Sequence, residues 1–304
     1  MLRVIIVNLK GGLGNQMFQY ALGYTLSKIK KVPMYFDLRL MEEHKINPSP
    51  RNVPRDFDLD VFGIEKDIVS KKDLIRTLQF PNSYRLRKYI SIILDKLNLF
   101  VFYEKKRIFD NRVLDNNFQN IYLDGLWQCE KYFKSFRNEI LDIYNFDILK
   151  KKEKNINFLK KINFTKSICL NVRRKDFINN PEHNIVNIDY YKNSILNFQN
   201  ILGNNLKIFV FSDDLEWCKK NLVIFDDINF VEHEYAGYKF YNYLYLMSSF
   251  KNFIIPNSSF GWWACWLSKY KDKIIMTPER WSGLVDESLI EIVPPEWIRV
   301  KYLK

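Results

Sequence analysis

The sequence has no long hydrophobic run. Its 304 residues contain no apolar stretch near the roughly 20 residues that a membrane-spanning helix needs, so a transmembrane protein is excluded. The N-terminus, Met1-Leu2-Arg3 followed by a short apolar segment, lacks the length and the small-residue cleavage site of a secretory signal. With 47% hydrophobic and 27% charged residues, the composition is typical of a globular protein. We therefore expect a cytoplasmic protein.

Histidine and cysteine are also scarce. The three histidines have no metal-ligand spacing, which argues against a zinc enzyme: His44, His183 and His233. The four cysteines are far apart and have apolar neighbours, which favours buried, reduced thiols over a disulfide framework: Cys129, Cys169, Cys218 and Cys265. A zinc site is therefore not expected.

Acidic residues are fewer than basic ones. Asp plus Glu number 35 against 47 Lys plus Arg, and the formal net charge is +12. This excess favours an anionic partner, such as nucleic acid, acidic lipid or a phosphorylated substrate. Part of it is concentrated among apolar residues between 71 and 112: Lys71, Lys72, Arg76, Arg85, Arg87, Lys88, Lys105, Lys106, Arg107 and Arg112. A solvated helical face is the favoured interpretation of this segment, and peripheral contact with an acidic membrane is the alternative.

Alternating strand and helix patterns predict an α/β protein. The chain opens with strand LRVIIVN (2–8), a glycine loop, a helix over about 15–30 and strand VPMYFD (32–37). A lysine-rich stretch, LKKKEKNINFLKK (149–161), predicts a boundary, with one exposed helix as the alternative. We predict two Rossmann-like α/β domains, 1–155 and 156–304, that face each other across a cleft.

Polar clusters follow three predicted strands in the second half of the chain. Arg173 to Asp176 follow SICLNV (167–172), Asp213 and Asp214 follow KIFVFS (207–212), and 257–259 follow FIIP (253–256). The carboxyl ends of parallel strands meet at one edge of a sheet, so these clusters are expected to converge on one ligand.

The glycine loop GGLGN (11–15) stands between a strand and a helix. Such a loop lets backbone N–H groups approach a phosphate or a sugar, and the helix N-terminus adds partial positive charge. A dinucleotide fingerprint is incomplete because Met17 replaces its last glycine, although Asp37 stands where a ribose-binding acid would be. The lysine of a P-loop is missing, and a turn that only packs is the remaining alternative.

The other clusters each have a functional and a structural interpretation. One arginine of NVRRKDF (171–177) can bind a diphosphate, or Asp176 can form a surface ion pair with Arg174 or Lys175. Asp213 or Asp214 can accept from a guanine or ribose, while Ser212 or Asp213 is a candidate helix cap. Asn257, Ser258 and Ser259 form a candidate anion site at a helix start. The tryptophans that follow are expected to be core rather than a sugar platform: Trp262, Trp263 and Trp266.

Four blocks together closely resemble glycosyltransferase family 11, the bacterial-type α-1,2-fucosyltransferases. They occur in the family's order: GGLGNQMFQYA (11–21), VRRKDF (172–177), FSDDLEWCKKN (211–221) and NSSFGWWACWL (257–267). The resemblance implies a GT-B-like fold, GDP-β-L-fucose as the donor substrate, no cofactor and no metal requirement. It further implies inverting transfer to the 2-hydroxyl of a galactose in an oligosaccharide or lipid-linked glycan, as in O-antigen synthesis. Asn171, Lys175 and Phe177 depart from the family's usual His, Gly and Tyr.

Under this resemblance each block has an expected role. Arg173 inherits the diphosphate contact and is the expected electrostatic catalyst, while Arg174 and Asp176 brace the loop. Asn15 is expected to bind phosphate or fucose, and Gly12 and Gly14 to permit close approach of the donor. Asp213 or Asp214 is expected to bind the nucleoside of the donor. Asn257, Ser258 and Ser259 are expected to bind its pyrophosphate.

Two other function classes are weaker. An NAD-dependent Rossmann enzyme would use Gly12, Gly14 and Asp37. A nucleic-acid-binding protein would explain the net charge, but the sequence contains no recognisable recognition module, so nucleic acid is not an expected partner.

Overall fold

The computed structural model describes residues 3–48, 53–69, 84–97, 99–223, 225 and 227–302. The chain folds into two compact units, Met1–Ile143 and Tyr144–Lys304. Each unit contains a parallel β-sheet with helices in its connections. The predicted α/β class, with a parallel sheet in each half of the chain, is therefore confirmed.

The first unit is built on a four-stranded sheet of order β2-β1-β4-β3, in which all described pairings are parallel. Its strands are β1 (Val4–Asn8), β2 (Met34–Asp37), β3 (Val101–Tyr103) and β4 (Asn120–Asp124). Its α-helices in the described residues are α1 (Leu13–Lys30), α2 (Arg39–Ile46), α3 (Tyr84–Lys96) and α4 (Arg137–Ile143). Short 3₁₀ turns occur at Leu59–Phe62, Asn111–Val113, Glu130–Tyr132 and Lys134–Phe136.

The opening strand and helix follow from local sequence. Strand β1 is VIIVN and is buried along its whole length, as expected for a central strand covered on both faces. Helix α1 begins at Leu13, two positions before the predicted start at Asn15, because Gly12 adopts the extended conformation of the N-cap. The helix ends at Lys30, and the next residue, Lys31, has the left-handed conformation that commonly stops helices.

The second unit is built on a six-stranded sheet of order β10-β9-β8-β5-β6-β7, again with parallel pairings throughout the described strands. Its strands are β5 (Ser167–Val172), β6 (Lys207–Ser212), β7 (Ile228–Phe230), β8 (Asn252–Ile254), β9 (Ile274–Pro278) and β10 (Ile298–Val300). Its α-helices in the described residues are α5 (Asp147–Lys150), α6 (Glu153–Leu159), α7 (Ile188–Leu202), α8 (Leu215–Asn221), α9 (Tyr241–Ser248) and α10 (Ser259–Leu267). Further 3₁₀ turns occur at His233–Tyr235, Tyr238–Phe240 and Glu287–Leu289.

The aromatic stripe of α10 is core, as the helical spacing predicts. Trp262 and Trp263 are fully buried and Trp266 is 3% exposed. The indole N–H of Trp262 donates to the carbonyl of Ile292 at 2.7 Å, which satisfies the polar atom of a buried ring. The stripe therefore supports the second unit from within and is not a surface for sugar.

The division between the units lies earlier than predicted, between Ile143 and Tyr144 instead of after residue 155. The lysine-rich segment contains α6, which packs on the second unit: Phe158 contacts the rings of Phe209 and Phe211. Asn155 exchanges two hydrogen bonds with Asn242 of α9, at 2.7 and 3.0 Å. Lysine content alone suggested a linker, but the apolar side of this short helix belongs to the second core.

All four cysteines are buried and none of them forms a disulfide bond, which confirms the prediction of reduced thiols. Burial raises the pKa of the Cys169 and Cys265 thiols well above the ordinary value. Within the described part of the chain, no helix combines the length and the apolar character needed to cross a bilayer.

Candidate functional site

Two of the predicted polar clusters meet at the carboxyl edge of the second sheet. Strand β5 lies between β8 and β6, so the segments that follow these strands leave the sheet side by side. The first contact between clusters is a hydrogen bond from the backbone N–H of Arg174 to Oδ1 of Asp213, at 2.9 Å. The carboxyl edge therefore gathers residues that are about forty positions apart in the chain, as parallel topology predicts.

Asp213 is a buried anchor for the arginine loop. Its Oδ2 accepts from the backbone N–H of Lys175 at 3.1 Å and lies 3.2 Å from Nη1 of Arg173. The other terminal nitrogen of Arg173 donates to Asp176 at 2.8 Å. The guanidinium of Arg173 is thus held between two carboxylates, yet its side chain remains 29% exposed. A fixed, accessible cation of this kind can meet an anionic ligand without first being ordered.

Arg174 points to a different set of partners. Its Nε donates to Oδ2 of Asp214 at 3.2 Å, and its guanidinium lies 3.9 Å from the ring centre of Trp217. Asp214 also accepts from the backbone N–H of Trp217 and caps α8, so the cap is Asp214 and not Ser212 or Asp213 as predicted. Arg174 thus contacts Asp214 and Trp217, and the bracing role expected of it stays a prediction.

The third cluster begins α10. Asn257 is 3% exposed, and its amide donates to the carbonyls of His183 at 3.3 Å and Trp281 at 3.0 Å. Its Oδ1 is buried and has no hydrogen-bond partner in the described residues. Ser258 is the N-cap of α10 but makes no side-chain cap bond within the described chain, and Ser259 is half-buried in the first turn. The predicted anion contacts of these three residues stay a prediction.

Asn171, at a position where the family that the sequence resembles usually has histidine, lies near the end of β5. Its amide donates to the carbonyl of Phe211 at 3.1 Å, while its buried Oδ1 has no partner among the residues that the structure describes. A Cβ atom at Gly261 would lie 2.8 Å from this oxygen and 3.2 Å from Ile255 Cβ. The close approach of α10 to β5 therefore requires glycine at 261, a constraint that the sequence alone did not show.

A surface pocket opens beside the two arginines. It is lined in part by Arg173, Arg174, Phe177, His183 and Trp217. The rings of Phe177 and His183 stack at 4.8 Å, and the Arg173 guanidinium lies 5.9 Å from the Phe177 ring centre. The pocket thus brings two guanidinium groups next to aromatic rings at the carboxyl edge of the second sheet.

In the first unit, the glycine loop joins β1 to α1. Gly11 has φ +79°, and a Cβ atom there would lie 2.9 Å from the Cβ of Asn15. Gly12 is the N-cap of α1, and its nearest side-chain atoms are those of the Arg55 guanidinium, 3.9 Å from where a Cβ would be. Gly14 is buried in the first turn. The positive φ of Gly11 therefore shapes this loop, whereas the sequence-based expectation concerned only Gly12 and Gly14.

Asn15 is held by a residue from the loop after β4. Nε2 of Gln128 donates to Oδ1 of Asn15 at 2.8 Å, and Gln128 is 6% exposed. With its oxygen occupied, the Asn15 amide presents its Nδ2 hydrogens on the opposite side, next to Gly11. Asn15 as a whole is half-buried.

The backbone before Gln128 is fixed by a partly buried carboxylate, that of Glu104. Glu104 accepts the backbone N–H of Leu126 at 2.6 Å and that of Trp127 at 3.0 Å. Trp127 has φ 56°, a conformation that non-glycine residues adopt only when their surroundings impose it. Burial raises the pKa of the Glu104 carboxyl, although these two N–H bonds act in the opposite direction. Glu104 and Trp127 therefore set the direction in which Gln128 leaves the chain.

Asp37, the candidate ribose-binding acid, is fully buried and already has partners. Arg39 donates to it from Nε and Nη2 and from its backbone N–H, and the Tyr122 hydroxyl donates at 2.8 Å. Burial favours a higher pKa, but the bonds and charge of Arg39 prevail and hold the pKa of Asp37 below its ordinary value. An internal ion pair of this kind stabilises the first unit and occupies both carboxylate oxygens, which argues against the NAD-dependent alternative.

Across the described ranges, no three or more His, Cys, Asp and Glu side chains are grouped so that they could hold a metal ion.

Comparison with known proteins identifies the class to which this chain belongs. The family model described as "Glycosyl transferase family 11" matches residues 103–301. An alpha-1,2-colitosyltransferase of Escherichia coli is 31% identical over 98% of this chain and 99% of its own. The O-antigen biosynthesis glycosyltransferase WbnK of Escherichia coli is 31% identical over 96% of this chain and 99% of its own. The crystal structure of fucosyltransferase NodZ from Bradyrhizobium aligns with TM-score 0.47 and 16% identity, covering 87% of this chain and 92% of that one.

The chain therefore belongs to glycosyl transferase family 11 and is a glycosyltransferase of that family. Family membership confirms the resemblance at the level of the family, and the matched residues include three of the four sequence blocks: 172–177, 211–221 and 257–267.

Proposed function

We propose that this protein is an inverting α-1,2-fucosyltransferase, which moves L-fucose from GDP-β-L-fucose to the 2-hydroxyl of a terminal galactose in a glycan. The observation that carries the proposal is the placement of Arg173 at the carboxyl edge of the second sheet, paired with Asp213 and Asp176 and still accessible. Family membership supports the reaction type, and the names of the two Escherichia coli relatives support an α-1,2 linkage and an O-antigen glycan or a similar lipid-linked acceptor.

Arg173 is the proposed electrostatic catalyst. Breaking the bond between fucose C1 and the phosphate oxygen places negative charge on the departing diphosphate and positive character on the sugar. A guanidinium stays cationic at any working pH and can donate two parallel hydrogen bonds to phosphate oxygens. Because Asp213 and Asp176 fix its position before the reaction, Arg173 stabilises the new charge without reorganising. In this proposal a divalent metal is not required.

The remaining donor contacts are proposed at the same carboxyl edge of the second sheet. Asn257, Ser258 and Ser259 begin α10 and are proposed to bind the pyrophosphate. Asp213 or Asp214 is proposed to bind the nucleoside. Asp214 is the better placed of the two, because its side chain is 27% exposed, whereas Asp213 is buried and both of its oxygens accept from the arginine loop. Arg174 and Asp176 keep that loop in place through Asp214 and Arg173.

Asn15 is the proposed donor of a hydrogen bond to the phosphate or the fucose. Its orientation rests on Gln128, which occupies the carboxamide oxygen and leaves the Nδ2 hydrogens for the ligand. Gln128 is therefore a positioning residue in this proposal. Gly12 and Gly14 keep the start of α1 free of bulky side chains, so that a ligand group can approach its backbone N–H groups.

Donor specificity has a second candidate, since one relative is named a colitosyltransferase. Colitose is fucose without its 3-hydroxyl group. The decisive experiment incubates purified protein with GDP-fucose, or with GDP-colitose, and with lactose, galactosyl-β-1,3-GalNAc and galactosyl-β-1,3-GlcNAc. We expect transfer from GDP-fucose and an α-1,2 linkage in the NMR spectrum of the product. Preferred use of GDP-colitose would replace the proposed donor, and a different linkage would overturn the proposed acceptor position.

A further inference from the structure

Helix α3 turns its polar residues inward. Three residues at successive helical turns are almost completely buried although each is polar or charged: Arg87 at 2%, Ser91 at 0% and Asp95 at 2% exposure. Asp95 pairs with Lys105 at 2.6 Å and with Arg112 at 3.2 Å, and Arg87 lies 4.0 Å from Glu43. These ion pairs fix the rotation of the helix about its axis.

Large apolar side chains of the same helix and of the residue after it point outward. They recur at helical spacing on one face: Leu86 at 52%, Tyr89 at 69%, Ile93 at 53% and Leu97 at 62% exposure. We call these four residues the α3 stripe. Ile90 and Leu94, beside the stripe, pack on the first sheet next to Val101 and Tyr122. The helix therefore has enough apolar contact to stay on its unit while the stripe remains in solvent.

The exposed charged residues that the structure describes on α3 itself are both basic. Lys88 and Lys96 are exposed on α3, and Asp95, the only acidic residue in the helix sequence, is buried in its ion pairs. An apolar face with basic residues beside it is the pattern of a helix that lies in the interface of an anionic bilayer. Lys71, Lys72 and Arg76, which belong to the same basic part of the sequence, lie outside the described residues.

We propose that the α3 stripe and its lysines dock the protein on the surface of an anionic lipid bilayer. The apolar side chains would enter the boundary between headgroups and acyl chains, and the lysines would contact lipid phosphates. A second copy of this chain fits less well, because each copy carries a net charge of +12 and would bring lysines against lysines. The inference rests on the geometry of α3 and does not require the proposed sugar-transfer reaction.

The test measures co-sedimentation of the full chain with phosphatidylcholine vesicles, with and without phosphatidylglycerol. We expect binding to the vesicles that contain phosphatidylglycerol and weaker binding as salt is raised. The variant Tyr89→Ser/Ile93→Ser should bind those vesicles about ten-fold more weakly or worse, because it removes the apolar insertion. The matched control is Leu196→Ser/Ile201→Ser on α7, whose side chains are 54% and 50% exposed, and it should bind like the wild type.

A second variant, Lys88→Glu/Lys96→Glu, changes only exposed side chains and should also weaken binding. Circular dichroism and transfer to a soluble acceptor check that each variant is folded. The proposal is overturned if the wild type does not prefer anionic vesicles, or if the stripe variant binds them as well as the control does. It is also overturned if sedimentation shows a dimer that the stripe variant abolishes while no vesicle binding is seen.

Discussion

The carboxyl edges of the two sheets use different chemistry. In the second unit, the edge presents an accessible guanidinium, Arg173, between two carboxylates. In the first unit, the edge presents a neutral carboxamide, Asn15, whose direction is fixed by another carboxamide, Gln128. Charges do occur there, but Asp37 and Asp124 are buried and paired internally with Arg39 and Lys10.

This difference separates two tasks. A cation is effective where full negative charge develops, and the second edge supplies one. A neutral amide orients a ligand without adding net charge, and the buried ion pairs of the first unit contribute to folding. The following predictions test whether the two edges divide the work in this way, and they are ordered from the largest expected effect to the smallest.

Replacing the accessible cation should have the largest effect. Arg173→Ala is expected to lower kcat by about two to three orders of magnitude, which is the scale of losing one transition-state donor. The measurement is turnover of GDP-fucose. Arg299→Ala, which removes another partly exposed arginine of the second unit that pairs with Glu287, serves as the control and should retain activity. Turnover near the wild-type value in Arg173→Ala would remove this residue from the mechanism.

Breaking the internal pair of the first unit should affect stability and not chemistry. Asp37→Asn is expected to lower the free energy of unfolding by about 3 kcal/mol, because Arg39 then loses its buried counter-charge. Denaturant unfolding measures the loss, while kcat of the folded fraction should change little. Asp147→Asn, in an exposed pair with Lys150, should leave unfolding unchanged.

The same variant has a defined pH dependence. The pKa of Asp37 in the folded chain lies below its ordinary value of 3.8, so the ion pair stabilises fully above that pH and is lost as the pH falls through the lowered pKa. The stability difference between wild type and Asp37→Asn should therefore shrink in strongly acidic solution. A constant difference down to the lowest accessible pH would show that the variant acts through packing instead.

Changing the orienting amide should have a smaller effect on turnover. Glu at 128 can only accept when ionised, so Gln128→Glu should force the Asn15 amide to turn its NH₂ group toward residue 128. We expect about ten-fold lower kcat at alkaline pH, comparable to the loss of one hydrogen bond, and partial recovery at acidic pH, where the protonated carboxyl donates again. Gln128→Met, similar in size, should lose activity without recovery. Equal losses at every pH in both variants would reduce Gln128 to a packing role.

Removal of divalent metal should have the smallest effect. If the guanidinium takes the place of a metal ion, turnover of GDP-fucose in excess EDTA should equal turnover in its absence. The measurement is the initial rate with and without added Mg²⁺ after chelation. Complete loss that Mg²⁺ restores would make Asp213 and Asp214 candidate metal ligands.

The sequence predicted the second unit's edge better than the first. Strands β5 and β6 have the predicted bounds, 167–172 and 207–212, because buried parallel strands are continuous apolar runs that end at polar residues. Because β5 and β6 pair in parallel, the residues that follow the two strands lie next to each other, and the sequence of each strand is enough to predict this. The pairing of Asp213 with the arginine loop follows from that register.

The sequence did not show the first unit's network. Glu104, Trp127 and Gln128 act on Asn15 only because β4 pairs with β1 in a particular register, and no local pattern encodes that pairing. The inward orientation of the polar face of α3 could not be predicted from the helix sequence either, because Asp95 pairs with Lys105 and Arg112 of the segment that follows the helix. The lysine-rich stretch was wrongly predicted to be a boundary because the residues that cover α6 lie about fifty positions away, as with Phe158 and Phe209.

The paired carboxamides of Asn155 and Asn242 determine where the protein can be divided for study. A fragment that starts at Tyr144 keeps both amides and the aromatic contacts of Phe158. One that starts at residue 156 leaves Asn242 with a buried amide that has lost its reciprocal partner, and it lacks most of the first turn of α6. A C-terminal fragment of the enzyme should therefore begin before α6, because both asparagines of this hydrogen-bonded pair belong to the second unit.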